Sequence, residues 1–169
     1  MATPTMAAGK IGFWHPAALV ATAGGIGHLP VAPGTWASFA TLPLAWLLDH
    51  GTGRIGIALA GLAVALLGLW ASQVYVARQR AEDPGEVVVD EIAAQLLVLV
   101  AVPLTLASMI AGFLLFRLFD IVKLWPVNWA DRQVKGGLGV MLDDLLAAGY
   151  AALALALLAP LMDKFPDVF

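Results

Sequence analysis

Cysteine is absent from the 169 residues. That excludes a disulfide framework, a thiolate metal site and cysteinyl-phosphatase chemistry, and with them palmitoyl and prenyl anchors. Charge is scarce as well: Asp, Glu, Lys and Arg make up 12% of the chain, against about 25% in an ordinary soluble domain. A net charge of −3 provides no attraction for polyanions, so a nucleic-acid partner is excluded. Disorder and an ordinary cytosolic enzyme are excluded by what is abundant, since 61% of the residues are hydrophobic and the mean hydropathy is +0.88. The composition is that of a small integral membrane protein, expected to form one domain over residues 1–169.

A signal peptide is not expected. Met1 to Lys10 carries one positive charge, and the apolar stretch after it is interrupted by His15 and Pro16 before running into Gly24-Gly25. It has no clean apolar segment followed by a cleavage site, so the N-terminus is expected to be retained.

Four apolar stretches stand out: Trp36 to Leu48, Ile55 to Ala77, Ile92 to Phe116 and Leu145 to Met162. A bilayer core needs about 20 helical residues; the second stretch exceeds this, the fourth nearly reaches it, and the first is short. The third is long enough, but Pro103 lies near its middle with Thr105 and Ser108 close by. Proline inside a helix costs about 3 kcal/mol, so this segment reads as a turn between two short helices. A second turn is read at 49–54, rich in glycine and polar residues. The expectation is an all-α membrane bundle of about five helices, at 36–49, 54–80, 90–102, 107–124 and 143–160. Segments 24–35, 81–90 and 125–142 then fall at one end. Lys10, Arg78, Arg80, Arg117, Lys123, Arg132 and Lys135 belong to that end, against Arg54 and Lys164 at the other, which makes it the cytoplasmic one. Trp14, Trp36, Trp125 and Trp129 also lie near it, either as an interfacial belt or as core residues.

The ionisable residues are clustered. Asp90-Glu91 open one apolar helix, Arg117, Asp120 and Lys123 close another on a shared face, and Asp143-Asp144 open the last. Acids at helix N-termini have an ordinary explanation in capping and the macrodipole. Two acidic pairs and an acid–base triplet at one end of a membrane bundle exceed it, because charge at membrane depth is costly and usually functional. Five carboxylates without thiols suit a hard cation, and Mg²⁺ binds through one or two carboxylates plus a substrate phosphate. Without a cation the five acids would repel one another. Glu91, Asp120 and Asp144 are the expected direct ligands, with Asp90 and Asp143 as supports. Arg117 and Lys123 are placed on phosphate oxygens, with Arg132 and Lys135 as weaker contacts. The glycine-rich segment 24–35 precedes a helix and can offer backbone N–H groups to an anion, with Thr35 and Ser38 nearby. It lacks the Lys-Ser/Thr ending of a P-loop. His28 reads first as a local hydrogen-bonding residue and second as a phosphate contact.

These residues carry a family pattern. Pro33-Gly34-Thr35 followed by Ser38, Asp90-Glu91, Phe116-Arg117 with Asp120 and Lys123, Pro126 with Asp131-Arg132, and Gly136-Gly137 through Asp143-Asp144 resemble bacterial phosphatidylglycerophosphatase A, over residues 24–150. Ala37 and Ala94 stand where the family has glycine, and Leu124 where it has proline; all three concern packing or turn shape. The resemblance implies a Mg²⁺-dependent inner-membrane enzyme that hydrolyses phosphatidylglycerol phosphate to phosphatidylglycerol and phosphate, with its site toward the cytoplasm. Water activated by the metal is the favoured nucleophile, because Asp120-Ile121-Val122 lacks the Asp-x-Asp pattern of phosphoaspartate enzymes.

Other classes fit less well. A CDP-alcohol phosphotransferase needs an Asp-Gly…Ala-Arg…Gly…Asp…Asp signature, and an acid-phosphatase-type lipid phosphatase needs a histidine nucleophile with Ser-Gly-His; neither is present. A small transporter or assembly subunit accounts for the apolar helices but not for acids gathered at one end.

Overall fold

The computed structural model describes residues 11–81 and 84–162; Lys10 and Lys164, two of the charges used for orientation, lie outside the described residues. Every regular element among them is helical. The chain enters through α1 (Pro16–Ala21), where the His15 ring nitrogen accepts from the Ala17 N–H at 3.1 Å and Pro16 opens the helix. A 3-10 turn follows at Ala23–His28, and its Gly24 and Gly25 adopt positive φ of 66° and 109°. Val88 N–H donates to the Ala21 carbonyl at 2.9 Å, which ties this entry segment to the loop that ends at Val88.

Helix α2 runs from Pro33 to Gln79 and leaves helical geometry at Gly53 (φ 69°, ψ −171°). An unbroken helix would carry Gly34 and Gln73 about 58 Å apart. Instead Gly34 lies against Glu91 and Gln73 against Gly137, both at the same end of the bundle, so α2 is a hairpin that reverses at Gly53. Leu42 and Ala45 of its first arm share an apolar cluster with Ile57 and Ala60 of its second. The expected reversal at 49–54 is present, but most of it is helical: Thr52 Oγ1 donates to the Leu48 carbonyl at 2.9 Å, and the break is confined to one glycine.

Helices α3 (Val89–Leu99) and α4 (Leu106–Val122) form the second hairpin, turning at Pro103 as the sequence predicts. Thr105 and Ser108 cap α4 reciprocally: Ser108 N–H donates to Thr105 Oγ1 at 3.1 Å and Thr105 N–H to Ser108 Oγ at 2.8 Å. The Ser108 hydroxyl in turn donates to the Pro103 carbonyl at 2.7 Å. Helix α5 (Val127–Gln133) is short, and the Tyr150 hydroxyl fastens the turn before it by donating to the Trp125 carbonyl at 2.6 Å.

Helix α6 runs from Gly136 to Met162, which corrects the expectation that 125–142 is a loop and that Asp143-Asp144 open the last helix. The two acids stand about two turns inside it. The glycines responsible make close packing, not a loop: a Cβ on Gly137 would lie 2.2 Å from the Gln73 backbone nitrogen, and one on Gly139 2.2 Å from the Val134 carbonyl oxygen.

Small residues bring the helices together. Ala93, Ala94, Ala147 and Ala151 are fully buried, and a Cβ on Gly112 would meet Leu99 and Leu155 at 3.2 and 3.3 Å, as expected where helices associate by close backbone approach in lipid. The outside is apolar, with Leu59, Leu62, Leu66, Leu114, Leu118 and Leu157 all exposed. Two segments, Pro33–Gln79 and Gly136–Pro160, are long and apolar enough to cross a membrane. Trp14, Trp36, Trp125 and Trp129 are likewise exposed, which favours the interfacial reading over the core one.

Candidate active site

Both hairpins return to one end of the bundle, and a polar cavity of about 350 Å³ opens there. Its wall takes Ala32, Pro33 and Gly34 from the start of α2, Asp90 and Glu91 from α3, and Arg117, Asp120 and Lys123 from the end of α4. Asp131 of α5 and Asp143 and Asp144 of α6 complete it, with Lys135 between those helices. Six carboxylates therefore face three basic side chains. An anionic substrate would be repelled by that excess unless a cation entered with it.

The carboxylates are arranged to hold one. Oxygens of Asp90, Glu91 and Asp144 all lie within 4.8 Å of one another. Glu91 Oε2 and Asp144 Oδ2 are buried without a hydrogen-bond partner, and buried carboxylate oxygens of this kind require a cation or a donor. The sequence ranking named Asp120 as the third ligand; the geometry groups Asp90 there instead. Asp90 Oδ1 also accepts from the Glu91 N–H at 3.0 Å, so the same carboxylate fixes the first turn of α3. Asp120 lies 3.0 Å from the Arg117 guanidinium, and that guanidinium is 3.8 Å from Glu91. Carboxylate oxygens without thiolate or imidazole suit a hard divalent cation. The start of α2 makes room for them: a Cβ on Gly34 would lie 1.7 Å from Glu91 Oε1.

The basic residues have separate tasks. Arg117 is mostly buried and lines the cavity; one terminal nitrogen is ion-paired with Asp120 at 3.0 Å, while its Nε is buried without a hydrogen-bond partner. Lys123 takes a left-handed backbone conformation at the end of α4 (φ 49°, ψ 58°), which costs a non-glycine residue about 1–2 kcal/mol. Its ammonium spans two helices, donating to Asp143 at 2.8 Å and to Asp131. Burial disfavours that ammonium, but the two carboxylates outweigh it and hold the Lys123 pKa above the ordinary lysine range. Helix α2 has no side-chain cap, and Pro33 and Gly34 line the cavity, so first-turn N–H groups are available to an anion.

Other expected contacts lie elsewhere. Ser38 is fully buried and its hydroxyl donates to the Gly34 carbonyl at 2.9 Å. Thr35, His28 and Arg132 are not among the residues lining the cavity, and His28 sits by the Phe13 ring instead. Lys135 is at the rim. Asp131, absent from the expected site, is part of it; its pairing with Lys123 across the α4–α5 turn leaves no signal in helical spacing.

Comparison with known proteins agrees with this geometry. The family model described as Phosphatidylglycerophosphatase A matches residues 19–159. Phosphatidylglycerophosphatase A of Haemophilus influenzae is 38% identical over 146 residues, covering 85% of this chain and 89% of its own. The protein of the same name from Escherichia coli is 34% identical over 145 residues, covering 82% and 79%. A Bacteroides thetaiotaomicron relative, provisionally named a phosphatidylinositol-3-phosphatase, is 37% identical over 145 residues, covering 82% and 90%. No solved structure gives a significant match.

Proposed function

The chain belongs to the phosphatidylglycerophosphatase A family of phosphatases, and we propose that it removes the terminal phosphate of phosphatidylglycerol phosphate in a Mg²⁺-dependent hydrolysis. The observation that carries the reading is the presence of orphaned carboxylate oxygens on Glu91 and Asp144 beside a buried Arg117 whose Nε has no hydrogen-bond partner, at one end of a lipid-exposed bundle.

Asp90, Glu91 and Asp144 would hold the ion. A bound Mg²⁺ would supply Lewis acidity toward the phosphoryl oxygens and lower the pKa of the attacking water. Arg117 grips the phosphoryl group through a planar fork and compensates charge that shifts in the transition state. Asp120 orients that fork. Lys123, fixed by Asp131 and Asp143, adds positive charge to the same wall. The first-turn amides of α2 are available to a further phosphoryl oxygen. Water attacks phosphorus, the bond to the glycerol oxygen breaks, and phosphatidylglycerol leaves with inorganic phosphate. The chain is placed in the bacterial inner membrane as a multi-pass protein, with the cavity toward the cytoplasm; the basic residues at that end support this.

Phosphate release by the purified protein tests the reading. Phosphatidylglycerol phosphate and phosphatidylinositol 3-phosphate would be supplied in mixed micelles, with and without chelator. Chelator-sensitive release from the first, well above the second, is expected. Release from neither contradicts the proposal, and preference for the second reassigns the substrate.

A further inference from the structure

A second depression adjoins the polar cavity. It is a groove of about 460 Å³ lined by Leu66, Leu69, Trp70, Gln73 and Val74 of α2 and Leu138 of α6. The two share a wall. Gly136 and Gly139 line the cavity, while Leu138 between them lines the groove. The wall is rigid, because Gly137 packs directly on the Gln73 backbone. From Gln73 the groove descends along α2 to Leu66, about 10 Å by helical rise, away from the charged end and into the apolar belt. Its one polar side chain, Gln73, lies at the top, with its carboxamide against Gly136. Phosphate-binding chemistry, an amide and an apolar channel thus follow one another in the order phosphate, glycerol ester and acyl chain take in a phospholipid.

We propose that this groove seats one acyl chain of the lipid substrate, with the Gln73 carboxamide donating to the ester or glycerol oxygens above it. The proposal rests on the phosphatase reading and adds to it a determinant for the diacylglycerol part of the substrate. Adjacency to the cavity, with the Gln73 carboxamide against cavity-lining Gly136, favours substrate over bulk lipid, because a chain seated here lies within reach of the group being hydrolysed. In a bilayer the chain exchanges one apolar neighbour for another, so its gain is packing and orientation and not removal from water. A several-fold effect on kcat/KM is therefore expected.

The test compares two substrates: dioleoyl phosphatidylglycerol phosphate in mixed micelles and its water-soluble deacylated counterpart. Leu138→Trp and Leu66→Trp fill the groove, and Gln73→Leu removes the amide. Leu157→Trp places the same bulk at an exposed leucine of α6 outside the groove. The groove variants are expected to lower kcat/KM for the diacyl substrate about fivefold, the equivalent of about 1 kcal/mol, through KM, and to leave the deacylated substrate unchanged. Leu157→Trp should alter neither. Equal loss on both substrates, or a loss matched by Leu157→Trp, overturns the groove while leaving the phosphatase reading intact. Wild-type protein inert on both substrates overturns the phosphatase reading, and the groove with it.

Discussion

Gly34 shows how a single residue sets the site. Its missing side chain lets α2 begin against Glu91, since a Cβ would lie 1.7 Å from Oε1. Gly34→Ala should displace that carboxylate and cut turnover about 100-fold, the cost of a misplacement near 1 Å, while circular dichroism stays unchanged; normal turnover would show that Glu91 has no positional task. Arg117→Lys keeps the charge but loses the fork, and a drop of about 100-fold is expected. Unchanged kinetics in that variant would reduce Arg117 to an interfacial anchor. At this scale the sequence displayed which acids and bases mattered but not their pairings. Asp90-Glu91, Arg117 and Asp143-Asp144 stand out in a chain so poor in charge. That Asp90 and not Asp120 joins Glu91 and Asp144, that Asp131 holds Lys123, and that Ser38 turns to its own helix depend on contacts between helices distant in sequence.

Among the elements, both reversals were legible, for different reasons. Pro103 removes a donor inside an apolar run, and the Thr105–Ser108 capping box restarts the helix beyond it. The α2 reversal was signalled by a glycine- and polar-rich segment, but its location at Gly53 rests on a backbone conformation (φ 69°, ψ −171°) essentially restricted to glycine. Gly53→Ala should therefore destabilise the fold by about 1–3 kcal/mol, read as a lower midpoint in denaturant; an unchanged midpoint would mean that the hairpin does not depend on this residue. The start of α6 was misread. Gly136-Gly137-Leu138-Gly139 has the composition of a loop, and only its packing on Gln73 and Val134 makes it helical. The same misreading concealed α5, which is too short for a periodic pattern.

For the whole molecule, charge asymmetry and hydrophobic run lengths identified a membrane bundle with one chemical end, and the two hairpins supply the geometry that makes it so. In the proposed orientation, cysteines replacing Glu86 and Lys135 in this cysteine-free chain should react with an impermeant thiol reagent from the cytoplasmic side, and one replacing Gly51 from the opposite side. Labelling of Glu86→Cys and Lys135→Cys from opposite sides would break the single-ended topology. The assembled end is a Mg²⁺ and phosphate site only if its crowded carboxylates work as ligands and not as helix caps. That is decided by the Mg²⁺ dependence of phosphate release from phosphatidylglycerol phosphate for wild type, Glu91→Gln and Asp144→Asn. Wild-type turnover should rise to saturation with Mg²⁺ and vanish with chelator, while both variants, folded and membrane-inserted, stay inactive at ion concentrations that saturate the wild type. Near-normal turnover of both variants at limiting Mg²⁺ would contradict it.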